Sequence, residues 1–270
     1  MGEILIDDVR GILDREVDDG RDSLYVVNPG ETTIRALTEV IDPTTIDTRI
    51  RLLARPAALK AATADFLIGS AIADLEADDA LTIKTLENGA KHALLVSDTH
   101  VGTMIALNDE IATLTTDDPE FVERVRGVYR EKWEAATPFS NRTPPRSHIE
   151  RTLASDIGET VREEFAAVLD SVEQLNGARG PLDEVTISIL VAARNDILLY
   201  DISKWGEDVG IASKATFSRT KTTLEDRGVI STEKVPIEVG RPRLRLTVGH
   251  DALAEATPET LAETATELLG

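Results

Sequence analysis

Nine cationic side chains crowd residues 201–247: Lys204, Lys214, Arg219, Lys221, Arg227, Lys234, Arg241, Arg243 and Arg245. Seven acids share the window (Asp201, Glu207, Asp208, Glu225, Asp226, Glu233 and Glu238), so it is slightly positive. The whole chain, with 49 acids against 29 bases, stands at −20. A chain that gathers its cations in one place presents that place to a polyanion. Other chemistry is sparse. There is no cysteine, hence no disulfide framework, thiolate metal site or cysteine nucleophile. The four histidines (His92, His100, His148 and His250) are scattered. Asp98-Thr99-His100 has metal-ligand types but reads as a polar turn, and no metal or cofactor is expected. No phosphate-binding glycine loop and no Gly-x-Ser-x-Gly elbow is present, so catalysis is not expected. Asn28-Pro29-Gly30, after an apolar run and before a helical pattern, has two readings. It is a backbone cradle for a small anion, making Asn28 and Gly30 the candidate effector ligands, or a plain left-handed turn.

The elements that carry these residues follow from periodicity. Ile4, Leu5, Val9, Ile12, Leu13 and Val17 fall at helical spacing, and residues 31–41 and 56–77 also read as helices. Segments 23–30 and 48–54 read as strands. Four more follow in ALTIKTL, HALLVSD, VGTMIAL and EIATLTT, joined at Asn88-Gly89, Asp98-Thr99 and Asn108-Asp109. A helix from Pro119 to Ala136 closes the segment. The expectation for residues 1–137 is an α/β domain with a mixed sheet. The proline-rich stretch 138–148 reads as a linker. Residues 149–176 then read as one long helix whose narrow apolar seam is Leu153, Ile157, Val161, Phe165, Val168, Val172 and Leu175. Such a seam packs on its own domain or pairs two chains, and the second reading, a homodimer, is preferred.

Residues 183–250 follow the pattern helix, helix, turn, helix, hairpin, and residues 251–270 an acidic terminal helix. Asp183 is placed to cap the first helix, Asp201 or Ser203 to start the second, and Gly210 to stop it. Ser213 caps the third, whose inward residues are Phe217 and Leu224. Its outer face is then Lys214, Ala215, Ser218, Arg219 and Thr222, the face a recognition helix gives to the major groove of double-stranded DNA. Lys221 is included among the contacts, with a packed role as the alternative. Gly240-Arg241-Pro242-Arg243 reads as the hairpin tip, and Arg243 and Arg245 share a strand face that reaches phosphates or the minor groove.

The run W-G-E-D-V-G-I-A-S-K-A-T-F-S-R, with L-E-D-R-G-V-I and the hairpin after it, resembles the winged helix-turn-helix regulators of archaea and bacteria. The complete layout, an acidic α/β domain, a long linking helix and this module, resembles the haloarchaeal TbsP-type transcriptional regulators. That resemblance implies a sequence-specific DNA-binding regulator with links to central carbon metabolism. The first domain resembles phospholipase D-like sensor halves, loosely. The active enzymes use His-x-Lys, and Gly89 stands where the histidine would be before Lys91, so phosphodiester chemistry is not implied. The acid excess suits a salt-saturated archaeal cytoplasm, and no stretch is long and apolar enough to span a membrane. The alternative function is a protein–protein adaptor whose winged helix meets a protein instead of DNA.

Overall fold

The computed structural model describes residues 3–18, 23–44, 48–86, 92–107, 110–174, 182–238 and 240–270. The chain divides into two compact units, Met1–Pro145 and Arg146–Gly270.

In the first unit an eight-stranded mixed sheet runs in the order β1-β7-β6-β5-β2-β3-β4-β8. Its strands are β1 (Glu3–Asp7), β2 (Ser23–Val27), β3 (Arg49–Ala54), β4 (Leu81–Thr85), β5 (Ala93–Val96), β6 (Val101–Leu107), β7 (Glu110–Thr116) and the two-residue edge β8 (Thr137–Pro138). Strands β2, β3 and β4 are parallel and the remaining pairings are antiparallel. The central strands are covered on both faces, which is why SLYVV and RIRLLA read as near-continuous apolar runs. Leu24, Val26, Ile50, Leu52 and Leu95 pack toward a helical layer. That layer comprises α1 (Val9–Asp18), α2 (Glu31–Val40), α3 (Pro56–Ala62) and α4 (Phe66–Ala77). Tyr25, Val27, Leu53, Val96 and Val101 alternate to the opposite face, where α5 (Pro119–Ala135) supplies Val122 and Tyr129.

Three readings of this unit change. Ile4 and Leu5 lie in strand β1, which pairs with β7 in antiparallel register, so the first helix starts at Val9. The single Ala-rich helix is two, because the Asp65 carboxylate accepts from Leu67 N and Ile68 N and starts a new helix there. Strand β4 is not part of a four-strand meander. It pairs with β3, while β5 pairs with β2, so β4 and β5 are not neighbours in the sheet. Asn88-Gly89 and Asn108-Asp109 lie outside the described residues. The stretch expected as a linker is packed as far as residue 145. Phe139 N donates to Ile83 O at 3.1 Å, and Asn141 Nδ2 donates to Gly69 O at 2.6 Å. Gly69 has to be glycine there, since a Cβ would sit 2.6 Å from Thr143 Oγ1.

The second unit begins with α6 (Arg146–Asp156) and α7 (Glu159–Gln174). The long helix is therefore broken. Ile157 N and Gly158 N both return to Leu153 O, and Gly158 takes φ +152, where a side chain would be strained. The apolar seam is core. Leu153, Phe165 and Val168 are fully buried and Val161 is 4% exposed within this one unit, beneath later helices of the same chain. Ile157 and Val172 are half-buried, and Leu175 lies outside the described residues. Of the two readings of the seam, packing on its own unit holds for Leu153, Val161, Phe165 and Val168. Spacing reports that a stripe is covered, and here residues far along the same chain cover it.

Candidate nucleic-acid interface

Three helices and a hairpin make the module, each ended by local chemistry. Helix α8 (Glu184–Arg194) opens with Asp183 accepting from Thr186 N at 2.7 Å. It closes at Asp196, φ +55, with Ile197 N bonded to Ala192 O. Helix α9 (Leu199–Asp208) begins earlier than Asp201 or Ser203. Its N-cap is Leu198, and no side chain caps it. The preceding backbone is held instead by the hairpin, since Leu246 N donates to Ile197 O at 2.9 Å and Leu198 bridges to Arg245. Helix α9 stops at Gly210, φ +87, where Ile211 N reaches back to Gly206 O and Gly210 N to Glu207 O. Six-to-one and five-to-two bonds of this kind close a helix that turns sharply. Ser213 then accepts from Thr216 N and starts α10 (Lys214–Asp226), which ends by the same device at Gly228, φ +69.

The packing fixes the angle between α9 and α10. A Cβ on Gly206 would lie 2.3 Å from the Phe217 ring, so only glycine lets the helices approach this closely. Phe217 and Leu224 are buried, as their spacing requires. Trp205, 2% exposed, packs edge-on to Phe165 at 6.2 Å, and its indole N–H donates to Thr152 Oγ1. Lys214, Ala215, Ser218, Arg219 and Thr222 are all exposed, and Ser213 and Thr216 exchange a hydroxyl contact at the helix start.

The cations divide into two sets. Lys204 is paired with Asp208 at 2.6 Å, Lys214 with Glu207 at 3.0 Å and Lys221 with Glu225 at 2.6 Å. Hydrogen bonds from Lys214 and Lys204 hold the Glu207 and Asp208 carboxyls below the usual range. Lys221 belongs to the scaffold. Its side chain is only 12% exposed, and Glu225 continues to the Thr232 hydroxyl, tying α10 to strand β9 (Ile230–Val235). It does not join Arg219 on the outer face. Arg243 is also not at the hairpin tip. It opens strand β10 (Arg243–Val248), paired with Val235 at the end of β9. Its guanidinium lies 4.1 Å from the Tyr200 ring centre and 3.5 Å from Asp201. Arg227 donates to Leu269 O. Arg219, Lys234, Arg241 and Arg245 form no ion pair with a described residue. Tyr200 and Asp201 were missed from sequence, because nothing local marks a helix start as the seat of a distant arginine.

Behind the module, Arg194 donates to Leu253 O at 2.6 Å and Ala256 O at 2.7 Å. It also lies 3.3 Å from Glu164, which accepts from Asn195 at 2.7 Å. These bonds anchor α11 (Asp251–Glu255) and α12 (Pro258–Leu269), two helices where one was expected.

In the first unit, Asn28 is the left-handed residue, φ +50, with its N–H on Leu53 O. Gly30 is the exposed N-cap of α2, with extended backbone. Ser97 Oγ accepts from Thr99 N and His100 N, so Asp98-Thr99 is the turn between β5 and β6. Gly89 and Lys91 lie outside the described residues. Among the described residues no three His, Asp or Glu converge on a metal position, and no helix is long and apolar enough to cross a membrane.

Residues 2–144 match the family described as transcriptional regulator TbsP-like, N-terminal. Residues 145–266 match the family described as transcriptional regulator TbsP-like, C-terminal HTH domain. The chain belongs to the TbsP-like transcriptional regulators. The junction of the two family segments falls within one residue of the division between the compact units. No curated protein is significantly similar to the chain. Among solved structures, TrmBL2, an archaeal chromatin protein with a novel mode of DNA binding, is 13% identical with a TM-score of 0.34. The match covers 50% of this chain and 54% of that one, so the chain spans about half of its length. Nuc from Salmonella typhimurium, a phospholipase D family member, is 13% identical with a TM-score of 0.37 over 52% of this chain and 99% of that one. NucT from Helicobacter pylori gives 13% and 0.35 over 52% and 99%.

Proposed function

We propose that the second unit binds double-stranded DNA in a sequence-specific manner, with α10 in the major groove. The observation that carries this reading is the exposed row Lys214, Ala215, Ser218, Arg219 and Thr222 on a helix whose opposite face is buried. Arg219 is its one arginine and has no carboxylate partner among the described residues, so its guanidinium is available to a guanine edge. Ser213 and Lys214 stand at the helix start, where phosphates meet backbone N–H groups. Arg241 in the turn and Arg245 on β10 contact phosphate. Arg243 holds the hairpin against α9 through Tyr200 and Asp201. An adaptor would show apolar residues on the recognition face, and the exposed large apolar residues of this unit, Tyr200 and Ile237, are not on α10.

The first unit assembles or senses and does not catalyse. A small anionic effector at Asn28 and Gly30 fits the exposed end of α2, and control of carbon metabolism fits the family resemblance. The charge of −20 fits a halophilic archaeal cytoplasm. Paired readers suit a palindromic operator, although the α6–α7 seam is not available to pair them. The test is selection of random duplexes on the full chain, followed by anisotropy with the enriched sequence. A shared motif bound at least about a thousandfold better than scrambled DNA is expected. Enrichment of no motif would refute the reading.

A further inference from the structure

Six large apolar side chains stand exposed among the described residues, and four of them, Ile105, Leu114, Phe121 and Val128, belong to the first unit. They share one side of it. The β6–β7 register sets Thr103 against Leu114 and Ile105 against Ala112, so these residues lie on the sheet face of Val101. Val101 packs in the cluster that contains Val122 and Tyr129 of α5. The open strands therefore continue the face on which α5 lies, beyond its cover. Phe121 and Val128, seven residues apart, share one stripe of α5. A groove of about 500 Å³ lined by Thr116, Asp118, Glu120, Phe121 and Arg124 joins the end of β7 to the first turns of the helix.

The charges along α5 are ordered. Asp117, Asp118, Glu120 and Glu123 precede it and fill its first turns with no base among them. Arg124, Arg126, Arg130 and Lys132 follow, with Glu131 and Glu134 the acids in the rest of the helix, so this part stays net positive. A second copy of this segment laid antiparallel sets acid against base at both ends. It also places Phe121 opposite the partner's Val128, and the reverse, which is the self-complementarity of a twofold interface. Arg124, three residues after Phe121 and four before Val128, borders this stripe, and Gly127 lies mid-helix about 100° around the axis from Val128. A Cβ there would meet nothing within 4 Å, so its own unit gives no reason for a glycine, which costs about 1 kcal/mol relative to Ala in a helix. Close approach of another helix gives one. Two chains at −20 repel over most of their surfaces, and this charge-balanced apolar face is where they can meet. A helix of 17 residues runs roughly 25 Å. A stable interface buries about 800 Å² per partner, so the open strands beside the helix belong to the face that would be covered.

We propose that the chain forms a twofold dimer through this face, with the two α5 helices antiparallel across Phe121, Arg124 and Val128. The absence of native cysteine makes the test direct. Arg124→Cys, which this register sets beside the twofold axis, should crosslink the full chain into a covalent dimer on mild oxidation, whereas Glu267→Cys on α12 should not. Val128→Asp should weaken dimerisation about a hundredfold or more by sedimentation, with the circular dichroism of wild type retained. A monomeric wild-type chain at micromolar concentration would overturn the proposal. So would a dimer indifferent to Val128→Asp with no crosslink at position 124. A monomer that still binds one specific DNA sequence would remove this interface and leave the DNA-binding reading standing.

Discussion

Two apolar stripes in this chain look alike in sequence and end differently. The stripe from Leu153 to Val172 is long and regular, and it is buried by helices of its own unit. The stripe of Phe121 and Val128 is short, interrupted by arginines and a glycine, and open, at 39% and 45% exposed. Periodicity identifies the face of a helix that is covered, but not the segment that covers it. That information lies in residues far along the chain: Trp205, 2% exposed, packs on Phe165, and α12 contributes the buried Leu261, Ala262 and Ala265.

The largest expected contrast is Phe165→Ala against Val128→Ala. The first opens a cavity in the second unit and should cost about 3–5 kcal/mol in denaturant unfolding. The second removes an exposed methyl pair and should change unfolding of the chain by less than about 0.5 kcal/mol. Equal effects would mean that the stripes are not different in kind. Arg194→Met comes next. It removes the cation beside Glu164, which keeps only Asn195 as donor, and the Arg194 bonds to two carbonyls, and a loss of about 3 kcal/mol is expected, read as a lower thermal midpoint of the second unit. No loss would mean that α11 and α12 are held by apolar packing alone.

Two mid-helix glycines sharpen the comparison further. Gly206→Ala drives a methyl into the Phe217 ring and should destabilise by about 1–3 kcal/mol. Gly127→Ala meets nothing in its own unit and should stabilise the isolated chain by up to about 1 kcal/mol. Thermal melts of both at a concentration below dimerisation decide the signs. The smallest effect concerns acid. Hydrogen bonds from Lys221, and then Thr232, hold the Glu225 carboxyl below its ordinary range. Its contribution is present above the unfolded value and is lost as pH falls through the lower folded one. Lys221→Met should therefore flatten the acid limb of the stability profile by less than about 1 kcal/mol, since the carboxylate is 35% exposed. An unchanged acid limb would show that Lys221 does not hold the Glu225 carboxyl down.

What could be read from sequence was local. Asp183, Gly210, Ser213 and Gly228 each act on the backbone a few residues away, so the helices of the module and the outer face of α10 were legible. The order of strands was not, because nothing in ALTIKTL or HALLVSD states that β4 joins β3 while β5 joins β2. Strand β1 was hidden for a related reason. Ile4 and Leu5 blend into the helical spacing of Val9, Ile12 and Leu13, and only the pairing with β7 separates them. Charge and strand alternation place Lys221 and Arg243 among the cations, but not their partners: Lys221 pairs with Glu225 and Arg243 lies on Tyr200 and Asp201, partners that spacing does not reveal.

That division of cations offers the most direct test of DNA reading by α10. Operator affinity should be measured by fluorescence anisotropy for Arg219→Ala and Lys221→Ala at one salt concentration, on the selected sequence and on a scrambled one. Arg219→Ala should weaken the specific duplex by about 1–3 kcal/mol and leave the scrambled one nearly unchanged. Lys221→Ala should leave the ratio between the two duplexes intact. Full specific affinity in Arg219→Ala, or a lost ratio in Lys221→Ala, would contradict the assignment of the outer face of α10 as the surface that reads DNA.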